Sequence, residues 1–311
     1  MTKLSLIIPI YKVENYIIEC LESVCCQLVE GVEVILVNDG TPDNSMLIAR
    51  KYISEKYDHL VNQFVFIDQD NQGQSVARNN GVMNASGDFI AFVDSDDFVG
   101  ENYIEIILKN IDNEVDVLSF RGQACNNKKV LGKVINKNLT SGQYFNDFCF
   151  IEQNFKNCEW MCWSRVIKKD FFQDNKFPVN VYLEDMYFFM DIYIKAKNIK
   201  HVDDIIYFYR QHAESSTNSK SLKYYNSFEF MIDFLIKSIN SPVEQLSKNL
   251  YEISLNKTIH SYIYELSYSN NLADVFMRLK KYRSYLSVRH YSFFIVRFFV
   301  NNMRKFFIKF N

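Results

Sequence analysis

The first hundred residues alternate two hydrophobic rhythms. Apolar runs at LSLIIPI (4–10), VEVILVN (32–38), QFVFID (63–68) and DFIAFV (88–93) read as strands. Between them the spacing predicts helices over roughly 15–28, 43–57 and 75–85. This β-α-β-α-β-α-β order predicts an α/β fold, a Rossmann-like and mostly parallel central sheet with helices on both faces. From 115 to 210 the pattern is mixed. VDVLSF (115–120), KVLGKVI (129–135) and DDIIYFYR (203–210) predict strands, LEDMYFFMDIYIKAK (183–197) a helix, and NCEWMCWSRVIKK (157–169) is an aromatic-rich stretch. Beyond 220 the spacing is helical to about 266, without internal repeats or a low-complexity linker.

In such sheets ligands occupy the crevice at the carboxyl ends of the strands. Polar side chains gather there: Tyr11 and Glu14 after the first strand, Asn38 and Asp39 after the second, Asp68 and Asp70 after the third. The fourth ends in Asp94, Asp96 and Asp97, three like charges closing an apolar run. A solvated turn capping the helix NYIEIILKN would account for them. A hard divalent cation, Mg2+ or Mn2+, would also account for their place beside three other polar loops. A cation held by two carboxylates completes its shell with phosphate oxygens. The chain has neither a Walker-type glycine loop nor GxGxxG after the first strand, which argues against a P-loop NTPase or an ordinary dinucleotide enzyme. The phosphates are therefore expected to belong to the ligand.

Charge adds a second feature. The 311 residues carry a formal net charge of -2, yet residues 275–311 hold nine Lys and Arg and no Asp or Glu. The remainder has 26 basic residues against 37 acidic ones, which argues against nucleic acid as a partner. In the tail, 286–311, a helical wheel puts Ile295, Phe299, Met303 and Phe306 along one side and Arg289, Arg297 and Arg304 along another. Its apolar pieces are too short to span a bilayer, but a basic, aromatic amphipathic helix suits the interface of an anionic inner leaflet. Docking on the catalytic domain would explain the same pattern. Seven irregularly spaced cysteines, and a strand beginning at Leu4 with no cleavable segment before it, predict reduced thiols in a cytoplasm. Cys158 and Cys162 lack a second ligand pair at zinc-finger spacing.

LSLIIPIYKVENYIIECLESV, VILVNDGTPDNS, NQGQSVARNNGVMNASGDFIAFVDSDD and YLEDMYFF, in that order over roughly residues 3–210, resemble the family 2 glycosyltransferases of the GT-A fold. The resemblance implies an inverting enzyme, dependent on Mn2+ or Mg2+, that moves a hexose or N-acetylhexosamine from a nucleotide-sugar donor, usually UDP-linked. The implied acceptor is a glycan, lipid-linked in O-antigen, capsule or lipooligosaccharide synthesis. With the basic tail it implies a peripheral location on the inner face of the plasma membrane. It divides the chain into a catalytic domain over 1–215, its nucleotide-binding half ending near 100, and a helical region over 216–311.

Residue by residue, Pro9, Tyr11 and Glu14 match positions lining the nucleoside pocket, and Asp39 matches the carboxylate that recognises the base. Asp68 or Asp70 matches a looser position of that pocket. Gly73 matches a turn where backbone passes close to the ligand. Arg78 resembles the arginine beside the donor phosphates, a helix-surface salt bridge being the plainer account. Asp94 and Asp96 match the metal pair, Asp96 as direct ligand and Asp94 on the ribose or a metal-bound water, with Ser95 between them on the donor. YRQHAESST (209–217) resembles a segment that closes over the donor, giving His212 as a further metal ligand and Arg210 or Ser216 as diphosphate contacts. Asp185 matches the general base, which its helix N-terminus would keep ionised. Glu184 would orient the acceptor, and Trp160 and Trp163 fall at the acceptor wall, where core packing would account for them equally. Two other readings are weaker. A haloacid-dehalogenase-like phosphotransferase needs its nucleophilic Asp near the first strand, which here ends in PIY, and a nucleotide-sugar-binding scaffold would not need Asp185.

Overall fold

The computed structural model describes residues 3–126, 129–212, 222–269 and 271–308. The chain divides into two compact units, Met1–Asn180 with Glu184–Asn218, and Val181–Leu183 with Ser219–Asn311.

The first unit is built on a ten-stranded sheet. Strands β1 (Leu4–Ile10), β2 (Val32–Asp39), β3 (Phe64–Gln69) and β4 (Phe89–Phe92) run parallel in the order β3-β2-β1-β4. Every residue of β1 is buried, as in a strand covered on both faces. The intervening helices are α1 (Ile17–Cys25), α2 (Ser45–Lys56) and α3 (Gln74–Asn84). Helix α1 buries Ile17, Cys20, Leu21 and Val24, a stripe at three- and four-residue spacing. Helix α3 lies close on the sheet: a Cβ at position 81 would stand 2.4 Å from Cγ2 of Ile7, so Gly81 permits the approach. Register pairs Ile10 with Asn38, Asp39 with Gln69 and Ile7 with Phe92, which brings the residues after all four strands to one edge.

The unit continues through β5 (Phe98–Val99), α4 (Tyr103–Asn110), β6 (Val117–Asn126), β7 (Lys129–Ile135), β8 (Gly142–Phe145), α5 (Phe148–Asn157), β9 (Arg165–Lys168), α6 (Glu184–Lys195) and β10 (Asn198–Arg210). Strand β9 lies antiparallel between β4 and β6, β10 runs parallel to β6, and β5 closes the path antiparallel to β10. The first four strands are thus uniformly parallel and the rest mixed.

The second unit holds α7 (Leu222–Ile239), α8 (Gln245–Leu266), α9 (Leu272–Lys281) and α10 (Val288–Ile308). Phe228 of α7 stacks on Tyr262 of α8 with ring centroids 5.6 Å apart. Among the described residues no helix is long and apolar enough to cross a membrane.

Candidate active site

The acids after β4 are held in three different ways. Asp97 is buried, its Oδ2 accepting from the Tyr207 hydroxyl at 2.8 Å and its Oδ1 from the backbone N–H of Arg210 at 2.7 Å. The Tyr207 oxygen also accepts the Asp94 N–H at 3.0 Å, so one phenol sets the shape of the turn. Burial, then the charges of Asp96 and Asp94, push Asp97 well above the usual carboxylate range. Asp96 is partly exposed, and its Oδ2 lies 2.8 Å from Nε2 of His212. Its carbonyl accepts from Nε of Arg210, whose guanidinium also pairs with Glu19 at 2.8 Å. Asp94 Oδ1 accepts from Gln74 Nε2 at 3.1 Å and Arg78 Nη2 at 3.0 Å, and Ser95 is buried between the acids.

Arg78, on α3, is only 2% exposed, which removes the surface-pair account of it. Its Nη1 meets Glu184 Oε1 at 3.1 Å and Asp185 Oδ1 at 3.0 Å, and its guanidinium packs over the Phe177 ring at 5.4 Å. One buried cation therefore joins the acids ending β4 to those opening α6. The other Asp185 oxygen accepts the Cys162 N–H at 2.9 Å. Its side chain keeps 24% of its surface exposed. The helix N-terminus does not hold this acid low. Burial pushes Asp185 up to about 7, Arg78 opposing and Glu184 adding to the rise. Burial raises Asp94 in the same way, again against Arg78.

Asp39 is buried and serves its own fold. Its Oδ1 accepts from Gln69 Nε2 at 2.7 Å and the Gln72 N–H at 2.9 Å, and its Oδ2 accepts the Gly73 N–H at 2.9 Å. Residues 69–73 thus wrap around one carboxylate. Gly73 has φ 89°, and a Cβ there would meet nothing within 4 Å, so glycine is required by the conformation and not by a close approach.

A family model, Glycosyl transferase family 2, matches residues 5–172. The chain belongs to that family. GlyA of Streptococcus pneumoniae serotype 4, a glycosyltransferase, is 25% identical over 279 residues, 87% of this chain and 38% of GlyA. EpsH of Bacillus subtilis is 30% identical over 262 residues, 79% of this chain and 72% of EpsH. The chain thus spans well under half of one relative and most of the other. Among solved structures, Staphylococcus aureus TarS 1–349 in complex with UDP-GlcNAc superposes with a TM-score of 0.71 at 22% identity, over 88% of this chain and 77% of that one. The mannosyltransferase PcManGT from Pyrobaculum calidifontis, with GDP-Man and Mn2+, gives 0.55 at 13% identity over 97% and 87%. These likenesses show the fold, that of the GT-A glycosyltransferases.

Within this family 2 glycosyltransferase the remaining candidates divide. Pro9 is buried in β1, and Tyr11 follows it exposed at the same edge as Asp39. Glu14 Oε2 accepts the Asn44 N–H at 3.1 Å and braces the start of α2. Asp68 is exposed and paired with Arg50 and Asn38, both at 2.9 Å. The two tryptophans do not form an acceptor wall. Trp163 is 3% exposed, with Tyr207 stacked on its ring at 4.3 Å and Gly122 so close that a Cβ there would overlap the indole. Trp160, 4% exposed, is enclosed by Phe155, Tyr193 and Arg165. Neither offers a sugar a free ring face. Ser216 and the rest of 213–217 lie outside the described residues, as do the side chains of Phe299, Met303, Arg304 and Phe306.

Tyr207, Gln74 and the Cys162 N–H were missed by sequence reasoning. The one signal was Asp97, a third acid in a buried setting that needed donors. As to a metal, the residues present fit: a hard carboxylate oxygen of Asp96 and an imidazole nitrogen of His212 converge at 2.8 Å on a partly exposed edge. Among the described residues no group of three His, Cys, Asp or Glu forms a complete cage, so further ligands would come from water or a bound diphosphate.

Proposed function

We propose that this glycosyltransferase inverts configuration, moving a hexose or N-acetylhexosamine from a UDP-sugar to a glycan acceptor. The observation that carries the reading is the Arg78 junction, which holds Asp185 on one side of the acids that end β4. The donor class is supported by the UDP-GlcNAc bound to TarS. A surface-glycan acceptor is supported by GgaB of Bacillus subtilis, a minor teichoic acid biosynthesis protein 30% identical over 258 residues. We propose that this acceptor is lipid-linked and met at the inner face of the plasma membrane. GgaB is matched over 27% of its length. The catalytic domain would be 1–215 and the helical region 216–311.

The nucleoside would lie against Pro9, Tyr11, Glu14 and Asp39, with Asp68 at its margin and Asp94 and Ser95 toward the ribose. Asp96 and His212 would hold the Mn2+ or Mg2+. When bound, the ion would neutralise charge on the departing diphosphate. Asp185 accepts the proton of the acceptor hydroxyl as that oxygen forms its bond to the anomeric carbon. The bond from that carbon to the diphosphate oxygen breaks on the opposite side, and its electron pair leaves with the nucleotide. A base titrating near 7 suits this task, because it is substantially ionised at neutral pH and still basic enough to take the proton. Arg78 keeps the acid from rising further, and Glu184, sharing that guanidinium, positions the acceptor side of the cleft.

Asp185→Asn tests the assignment. Turnover of the donor is expected to fall by roughly 10²–10⁴ while nucleotide affinity stays within about twofold. Unchanged turnover would remove Asp185 as the base.

A further inference from the structure

We propose that the outer face of α10, with the exposed part of α9, seats the protein on an anionic lipid surface. This deepens the membrane location proposed above and rests on that reading, but it uses none of the residues of the site. Helix α10 is held along one side. Phe293 lies 4.2 Å from the His260 ring, Arg297 sits 4.7 Å over Tyr264, Phe294 is buried, and Asn301 Nδ2 donates to Ser267 Oγ at 3.0 Å. These contacts fix which way the helix faces. They turn Arg297 inward, away from Arg289, with which the helical wheel groups it.

Val288, Tyr291, Ile295, Val296 and Val300 are left outward, Val288 and Val296 being 82% and 62% exposed. At 3.6 residues per turn these five occupy one half of the helix circumference. A solvent-facing half composed this way reverses the usual amphipathic arrangement. Phe276 and Met277 of α9 are exposed apolar side chains as well, the Phe276 ring standing 6.3 Å from Phe294 of α10. Lys280, Arg283 and Arg289 are exposed in the same segment. Charge selects the occupant. A second copy would bring exposed Lys280, Arg283 and Arg289 against the same three cations. A zwitterionic bilayer would leave them unmatched, whereas anionic headgroups complement them and the outward apolar side chains enter the acyl boundary.

The test is co-sedimentation of the full chain with vesicles of phosphatidylcholine and of phosphatidylglycerol. Binding to phosphatidylglycerol is expected to be at least about tenfold tighter and to weaken with added salt. Ile295→Asp with Val296→Asp should abolish it while leaving Tm and UDP-sugar hydrolysis unchanged. Lys280→Gln, Arg283→Gln and Arg289→Gln together should weaken it by about a hundredfold. Equal affinity for both lipids, binding to neither, or a solution dimer that Ile295→Asp dissociates would each overturn the proposal. Hydrolysis without vesicle binding would sink this inference and leave the transferase reading standing; vesicle binding without hydrolysis would do the reverse.

Discussion

The turns after β2 and β4 both place carboxylates at the end of a buried parallel strand, and the fold treats them in opposite ways. Asp39 has both oxygens filled by donors from one segment, residues 69–73. After β4 the load is divided. Asp97 is turned inward to Tyr207 and Arg210, Asp94 is held by Gln74 and Arg78, and Asp96 meets His212 at a partly exposed edge. A carboxylate whose two oxygens are both held by one neighbouring segment shapes a pocket wall. One facing an imidazole across 2.8 Å keeps lone pairs for something brought in.

The largest expected effect comes from the cation that both halves of the site share. Arg78→Ala would strand Asp94, Glu184 and Asp185 together, and a loss of about 3–5 kcal/mol is expected in urea unfolding at neutral pH. The sign of the pH dependence follows. Burial raises Asp94 and Asp185 and Arg78 opposes the rise, so without the arginine these two hold protons still more tightly folded than unfolded, the native state binds more protons and stability recovers as pH falls. The loss should therefore be smaller at pH 5 than at pH 8. A loss below about 1 kcal/mol would show that the junction is no buried charge network.

The comparison itself is broken or sharpened by treating its two acids alike. Asp96→Ala should weaken Mn2+-dependent nucleotide binding by about 10–100-fold. It should cost little stability, because Asp96 is among the charges that raise Asp94 and Asp97. Asp39→Ala should show the opposite pattern, a loss of about 1.5–3 kcal/mol in stability from freed donors in the 69–73 turn, with an effect on affinity that does not depend on Mn2+. Calorimetry with and without the ion separates the two, and exchanged patterns would reverse the roles given to these turns.

A further effect concerns the titration of Asp185. Its carboxyl, raised to about 7, must be ionised to accept a proton. Turnover should then rise about tenfold per pH unit below 7 and level off above it. An unperturbed aspartate would put that limb near 4. A profile flat from pH 5 to 8 would separate Asp185 from the chemistry.

The half of the site on β1 to β4 was legible because each strand is a continuous apolar run and each polar loop follows directly. For the other half the resemblance supplied Glu184 and Asp185, but their junction with Arg78 was hidden by range and the strands around them by size. The acids that Arg78 grips in α6 lie 106 and 107 positions away, beyond any local periodicity. Strand β5 has two residues and β9 four, too few for alternation to register. The depth of Trp160 and Trp163 depends on which rings and glycines the sheet brings beside them. The inward turn of Arg297 depends on where Tyr264 stands, which no wheel drawn on the tail alone contains.

Asp68 gives the smallest expected effect and the finest test of where the pocket ends. Its carboxylate stands in solvent beside Arg50, and an exposed pair of this kind contributes little once screening and side-chain entropy are counted. Asp68→Ala should change stability by less than about 0.5 kcal/mol and nucleotide affinity by less than about twofold. Its Oδ1 also accepts from Asn38 Nδ2, and Asn38 Oδ1 in turn accepts the Thr41 N–H at 3.0 Å just after Asp39. A tenfold loss of affinity with stability intact would therefore extend the nucleoside wall from Asp39 across Asn38 to β3, and the contrast between the two turns would become one between a three-strand wall and a single-strand metal edge.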